Sequence, residues 1–133
     1  MCHAALKDGQ VVSYAWRSST VAPHEADIAV VVSNSLSYGY KAFTLPEFRG
    51  QGIYPAIAQR EVSKCSSLGH TTGVSFTELR NTASLRADRK IGNRRVGLAG
   101  YFRLGGWVWF FNAPAVKRLG FRFVRTLTIA GSA

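Results

Sequence analysis

Apolar and polar positions follow a period of two early in this chain and a period near 3.6 only in its middle. Val11 to Trp16 (VVSYAW) follows the turn signal Asp8-Gly9 and predicts a strand. Asp27 to Ser33 (DIAVVVS) is β-branched and apolar, and predicts a second. Asn34 to Gly39 (NSLSYG) has loop chemistry. Tyr40 to Leu45 (YKAFTL) alternates and is stopped by Pro46, which predicts a third strand. Between Ile53 and Leu68 the apolar residues fall at 53, 57, 58, 62, 65 and 68, one stripe of a helix. Pro55 sits in its first turn, where a missing N–H costs nothing, and Gly69 ends it. Gly73 to Leu79 predicts a fourth strand. Asn81 to Ile91 predicts a second helix, with Asn81 or Thr82 as N-cap and Gly92 closing it. Arg95 to Arg103 and Trp107 to Asn112 flank a Leu-Gly-Gly turn and predict a hairpin. The tail is mixed, with FRFVRTLTI (121–129) readable as one more strand.

The order β-β-β-α-β-α-β-β contains one strand–helix–strand crossover between hairpins. That is an α/β or α+β sheet with packed helices, and it is not an alternating doubly wound fold. A chain of 133 residues suits one domain with a core that needs neither disulfide nor metal. With 47% hydrophobic and 18% charged residues it is globular in composition. The densest apolar run, Trp107 to Phe111, is far short of the roughly 18 residues that span a bilayer. MCHAALKDGQ has no signal-peptide pattern, so the expected location is cytoplasmic. Cys2 and Cys65 form no CxxC pair, and His3, His24 and His70 are scattered, so no metal site is expected. Trp107, Trp109, Phe110 and Phe111 are expected in core or dimer packing, with a pocket lining as the alternative.

Charge is unevenly distributed along the chain. Residues 1–48 carry Lys7, Arg17 and Lys41 against Asp8, Glu25, Asp27 and Glu47, a net of −1. The other 85 residues hold 14 basic side chains against Glu61, Glu78 and Asp88, a net of +11. An anionic partner is implied, either a nucleic acid or a polyphosphate cofactor. No helix-turn-helix, zinc finger or RNA-binding aromatic signature supports the first.

Arg49-Gly50-Gln51-Gly52 lies where a strand ends and a helix begins. The first turn of a helix has unpaired N–H groups at the positive end of the dipole, and phosphate oxygens can accept from them. The glycines bare the backbone and Arg49 adds a charge-assisted donor. A tight turn with an exposed arginine fits the same four residues. The loop is neither a Walker loop nor a GxGxxG dinucleotide loop.

The stretch AFTLPEFRGQGIYPAIAQ (42–59) resembles the signature of the GNAT superfamily of acyl-CoA-dependent N-acyltransferases. That signature is a strand, a Pro, an aromatic residue, then Arg/Gln-x-x-Gly-x-Gly/Ala opening a helix. About thirty residues on, NTASLRADRKIGN (81–93) resembles the family's Asn-x-x-Ala/Ser helix ending in Lys-x-Gly, with Asn81, Ser84, Lys90 and Gly92 at family spacing. The resemblance covers roughly residues 8 to 112 of a single domain, 1–133, with 113–133 as a C-terminal strand or tail. It implies a central mixed, mostly antiparallel sheet with a splayed gap and flanking helices, the N-terminal strand and helices being short or missing. It implies acetyl-CoA or another acyl-CoA as cofactor. The pyrophosphate would rest on Arg49, Gly50, Gln51, Gly52, Ile53, Tyr54 and Pro55. The pantetheine arm would pair with Ala42, Phe43 and Thr44, and Asn81, Ser84 and Lys90 would lie across the gap. The implied reaction is direct attack of an amine on the thioester. The protein orients the reactants and polarises the carbonyl with a backbone N–H.

The sequence departs from the family motifs at two positions. Tyr54 stands where the loop motif has its last Gly/Ala, which is tolerable if the ring turns away from the phosphates, onto the sheet. Asp88 stands where the family carries the tyrosine that acts as general acid, which makes it the candidate acid by position; with Arg86, Arg89 and Lys90 nearby to keep it ionised, a surface ion pair is the expected role. Glu78, near the expected end of the fourth strand, is the candidate base, ahead of Glu47. The acceptor is a small-molecule or peptide amine, and a homodimer is compatible. The competing readings are a catalytically weak CoA-binding or interaction module and a basic nucleic-acid-binding domain.

Overall fold

The computed structural model describes residues 1–25 and 27–126. They form two compact units, Met1–Ser19 with Ser35–Arg94, and Thr20–Asn34 with the described residues from Arg95 on.

The first unit holds a four-stranded sheet ordered β1 (Cys2–Lys7), β2 (Gln10–Ser18), β5 (Leu36–Thr44) and β6 (Thr72–Ser75). β1/β2 and β2/β5 are antiparallel, while β5/β6 is parallel. A parallel pair needs a long crossover, and α1 (Ile53–Ser67) supplies it. The second helix of this unit is α2 (Thr82–Lys90).

Three expectations change here. A strand does precede position 11: β1 pairs with β2 from Cys2↔Trp16 to Lys7↔Gln10 across a turn whose central residues, Asp8 and Gly9, both have positive φ (50° and 80°). CHAALK has weak strand propensity, so pairing and not composition makes it a strand. The third strand begins at Leu36, inside the predicted loop, because Leu36, Ser37 and Tyr38 are buried and pair with β6. The fourth strand stops at Ser75, so Glu78 lies on a loop and not at a strand end.

The helical stripe is also rotated. α1 buries Ile57, Ala58, Glu61 and Cys65, whereas Val62 remains 53% exposed. Glu61, only 2% exposed, is held by β2: Arg17 Nε donates to its Oε2 at 2.8 Å. Arg17 Nη1 also donates to Ser37 O at 3.1 Å, and Ser37 Oγ is 3.0 Å from Cys65 Sγ. The guanidinium fits because β6 has Gly73 beneath it; a Cβ there would stand 3.3 Å from Nη1.

Tyr38 is 3% exposed, and burial pushes its phenol up to about 12 from 10.0, with Tyr40 adding to the shift. A raised folded-state value means the unfolded chain ionises first. This contribution to stability is therefore whole below pH 10 and is lost as pH rises towards 12. We expect phenolate absorbance to show a late-titrating tyrosine that is lost in Tyr38→Phe. Denaturation midpoints should fall across the same window, and should fall less steeply in Tyr38→Phe.

The second unit holds an antiparallel sheet ordered β3 (Val21–Glu25), β4 (Ile28–Val32) and β9 (Phe121–Arg125), a two-stranded hairpin of β7 (Ala99–Leu104) and β8 (Trp107–Asn112), and α3 (Pro114–Leu119). β3 and α3 were not expected. Pro23 argues against a strand except at an edge, which is where β3 sits. α3 is a short helix with Pro114 in its first turn and Gly120 as a left-handed cap. β9 confirms the start of FRFVRTLTI as a strand; residues from 127 on lie outside the described residues. The core is Ala22, Ile28, Val30, Val32, Val116, Phe121 and Phe123. Arg103 forks onto Asp27 (Nη1–Oδ2 3.2 Å), and that hydrogen bond holds the Asp27 carboxyl below its ordinary value. Trp107, Trp109, Phe110 and Phe111 are not core: the first, second and fourth lie on the hairpin face that nothing covers, and Phe110, beside Tyr101 on the packed face, is still exposed.

Sheets are mixed and mostly antiparallel, with helices beside them, as the fold class predicted. Among the described residues no helix is long and apolar enough to cross a membrane, which says nothing of a β-barrel.

Candidate functional site

The site is built where β5 outruns its neighbour. β6 pairs with Leu36 to Gly39 and ends, while β5 continues through Tyr40, Lys41, Ala42 and Phe43 to Thr44. One edge of β5 is therefore uncovered by sheet over its last five residues, and that is the splay. Its other edge stays on β2, with Ser13↔Thr44 and Tyr14↔Phe43 in register and Leu45 N–H donating to Val12 O at 2.9 Å. Antiparallel pairing alternates its bonds, so Thr44 turns its N–H and C=O towards the open edge.

The register slips by one residue between Tyr14 and Trp16, opposite Lys41 and Ala42, and Lys41 has φ 49°. This is a bulge with a non-glycine residue in the left-handed region. Such strain gathers at functional sites, and bulges re-aim peptide groups. No residue type in the sequence signals it.

After a short 3₁₀ turn, Pro46–Phe48, the chain passes Arg49 and reaches Gly50 (φ 77°) and Gly52 (φ 75°). Gly52 is the N-cap of α1 in a left-handed conformation, without a side-chain capping bond. A Cβ at either glycine would meet nothing within 4 Å, so φ requires the glycines and the outer side of the loop is bare. Among the described residues the N–H groups of Gly52, Ile53 and Tyr54 meet no backbone acceptor, and Pro55 has none to offer. The first turn of α1 carries no acidic side chain. Three donors thus stand at the positive end of a 15-residue helix with nothing negative to answer them.

Arg49 folds back onto the strand. Its Nε donates to Thr44 O at 3.0 Å and its guanidinium lies 5.8 Å from the centre of the Phe43 ring. Gln51 Nε2 donates to Glu47 O at 3.1 Å and ties the loop from within. Ser13 Oγ donates to Phe43 O at 3.0 Å and lies 2.8 Å from Thr44 Oγ1. Sequence-predicted residues 42–44 and 49–55 are in this way brought together at one end of the first unit.

Tyr54 is half-buried. Burial, then the negative charges of Asp88 and Glu61, raise its phenol above the ordinary tyrosine value, so the hydroxyl keeps its proton at neutral pH. Asn81 caps α2: its Oδ1 accepts from Ser84 N–H at 3.0 Å, which leaves its amide nitrogen as a donor. Lys90 closes the helix at its exposed end.

The two carboxylates behave differently from expectation. Asp88 is not part of a surface ion pair. Its Oδ2 accepts from Thr77 Oγ1 at 3.0 Å and its Oδ1 from Asn93 Nδ2 at 3.1 Å, pinning α2 to the loop after β6 and to the turn that follows the helix. With both oxygens engaged as acceptors it is not arranged as a proton donor. Glu78 is exposed on the loop, and its carbonyl accepts from Asn81 N–H at 3.0 Å. Two open cavities, of about 250 and 490 Å³, are lined by residues of the second unit and include none of the loop residues.

Several solved structures share this architecture. The aminoglycoside N-acetyltransferase AAC(6')-Iy, in a complex with CoA, superposes with a TM-score of 0.65 at 19% identity over 77% of this chain and 74% of that one. A transcriptional regulator from Bacillus halodurans C-125 gives 0.61 at 14% over 77% and 65%. An integron cassette protein from V. cholerae gives 0.59 at 17% over 89% and 64%. This chain thus spans less than two thirds of the last two. Likeness at such identities shows the fold, which is that of the GNAT acetyltransferases, and fold does not by itself select function. No family model matches the sequence, and no curated protein matches it.

Proposed function

We propose that this chain is an acyl-CoA-dependent N-acyltransferase, with residues 1–133 acting as one functional domain and the signature lying within residues 8–112. The observation that carries the reading is the juxtaposition in the first unit. Three unanswered N–H groups and Arg49 open α1 beside a strand end that its neighbour leaves uncovered. CoA has a pyrophosphate to accept from the first and an amide-bearing arm to pair along the second. The related-fold aminoglycoside acetyltransferase was solved with CoA.

When bound, acyl-CoA supplies a thioester carbonyl open to attack. The chain's residues do the rest. Gly50, Gln51, Gly52, Ile53 and Tyr54 present backbone N–H groups to the diphosphate, with the fixed φ of Pro55 setting the first turn, and Arg49 adds charge. Ala42, Phe43 and Thr44 pair with the arm. A peptide N–H re-aimed by the Lys41 bulge is the donor to the developing oxyanion. Asn81 and Ser84 border the arm from α2, and Lys90 adds a cation at the far end of that helix. Glu78 is the carboxylate free to take a proton from the acceptor amine, directly or through water. The acceptor is a small-molecule or peptide amine. The free thiols Cys2 and Cys65 suit a cytoplasmic enzyme.

Calorimetric titration with acetyl-CoA tests the reading. Saturable binding by the intact chain, lost in the Arg49→Ala/Gly52→Asp double variant, is the expected result. A folded chain that does not bind overturns it. Binding without acyl transfer to any amine in a broad acceptor screen selects the non-catalytic CoA module, a reading that the engaged oxygens of Asp88 favour.

A further inference from the structure

The β7–β8 hairpin has one mixed face, with Tyr101, Arg103, Phe110 and Asn112, that is packed, and one wholly apolar face that is not. Cross-strand register places Tyr101 opposite Phe110, and Phe102, Leu104, Trp107, Trp109 and Phe111 together on the opposite face. The first face packs inward within the second unit: Tyr101 meets Phe123 edge-on, with centroids 5.4 Å apart, and meets His24 at 5.9 Å. The second face is open. Leu104 is 73% exposed, Trp107 72% and Phe102 65%, and Trp109 and Phe111 are exposed too. Phe102 stacks on Phe111 at 5.3 Å, and the Phe111 ring lies over Gly100, where a Cβ would fall 2.7 Å from it. The result is a flat strip of rings. A strand face that is apolar throughout is the pattern of a face that is covered.

We propose that this outer face is the contact through which two copies of the chain associate, hairpin on hairpin about a two-fold axis. Area favours it. At roughly 150–250 Å² per large side chain, scaled by their exposures, the five residues offer about 600 Å². That is at the upper limit of what a monomer commonly leaves open. Two copies would bury about 1,200 Å², the lower bound of stable interfaces.

Charge favours it as well. Each copy carries +10, so like copies meet with least repulsion across a face without charge, and this one has none. The hairpin's own cation, Arg103, is on the other face and is neutralised by Asp27 and Glu25. A nucleic acid stacking on these rings would need free cations beside them, which the hairpin does not supply. A facing copy instead sets one aromatic sheet on another in an aligned packing. The inference is independent of the acyltransferase reading.

Sedimentation velocity on the full chain across a dilution series tests it. The expected species has about twice the 14.5 kDa chain mass and dissociates on dilution. Trp107→Glu should weaken association at least about 30-fold while leaving the far-UV circular dichroism unchanged. In a Trp16→Phe chain only Trp107 and Trp109 report, and their emission should move to longer wavelength in step with dissociation. This second readout decides the matter should Trp107→Glu fail to fold. Three results would overturn the proposal: a monomer at every concentration, a dimer indifferent to a folded Trp107→Glu, or dissociation without a change in emission. A monomer whose emission shifts to shorter wavelength on phosphatidylglycerol vesicles would assign the face to a membrane surface instead.

Discussion

Arg17→Ala is expected to lower the stability of the first unit by about 3–5 kcal/mol, the range for removing one partner of a buried ion pair. Glu61 sits under the sheet at 2% exposure, and its one close cation is the Arg17 guanidinium, 2.8 Å away. His3 Nδ1 lies 3.5 Å from the other carboxylate oxygen, and that contact is not a hydrogen bond. Without Arg17 the carboxylate remains desolvated and unpaired, and Ser37 O loses a donor. Glu61→Ala should cost less, because arginine can reach towards water along its own stem. A double replacement, Arg17→Met with Glu61→Leu, should recover most of the loss, since the pair's attraction mainly offsets its own desolvation. Urea denaturation of the three variants decides the point. A loss below about 1 kcal/mol for Arg17→Ala would show that water already reaches Glu61. The pair also anchors α1, the helix that carries the glycine loop at its start.

The second large effect separates conformation from charge at Gly52. Gly52→Ala forces a Cβ into φ 75°, and about 1 kcal/mol of stability should be lost. No atom stands within 4 Å of that Cβ, so acyl-CoA affinity should fall only several-fold. Gly52→Asp should do the reverse. Aspartate tolerates the left-handed region better than alanine and places a negative charge at a helix start that has none, so stability should hardly change. The same charge stands where the diphosphate would bind. Like charges about 4 Å apart near a protein surface repel by a few kcal/mol, so affinity should fall about 100-fold or more. The deficit should shrink as salt is added. Paired measurements of melting and of acetyl-CoA binding check the crossing. Equal effects of the two variants on affinity would mean that no anion sits on this helix start.

Much of the candidate site was legible because its parts are locally determined. A glycine pair before an apolar stripe with Pro in its first turn dictates a bare, left-handed loop into a helix, and Gly50, Gly52 and Ile53 obey. Asn81 and Gly92 mark the ends of α2 by the bonds and angles that only such residues readily provide. The roles of Asp88 and Glu78 were not legible. Charged neighbours in sequence suggested an ion pair for Asp88, but helical geometry turned it to Thr77 and Asn93, which sequence order does not bring forward.

From the sequence alone came the crossover order, the strands with β-branched cores and the loop that opens α1, each set by the torsions and periods of adjacent residues. The remaining features arise from long-range contacts. β1 exists because β2 offers it a register, and β3 because an edge accepts Pro23. α1 turns Glu61 inward and Val62 outward because Arg17 is waiting on the sheet. β6 ends four residues into its pairing, so β5 is left open, and a bulge at Lys41 re-aims its peptides. These features depend on partners far apart in the chain, and no local preference of either partner specifies them.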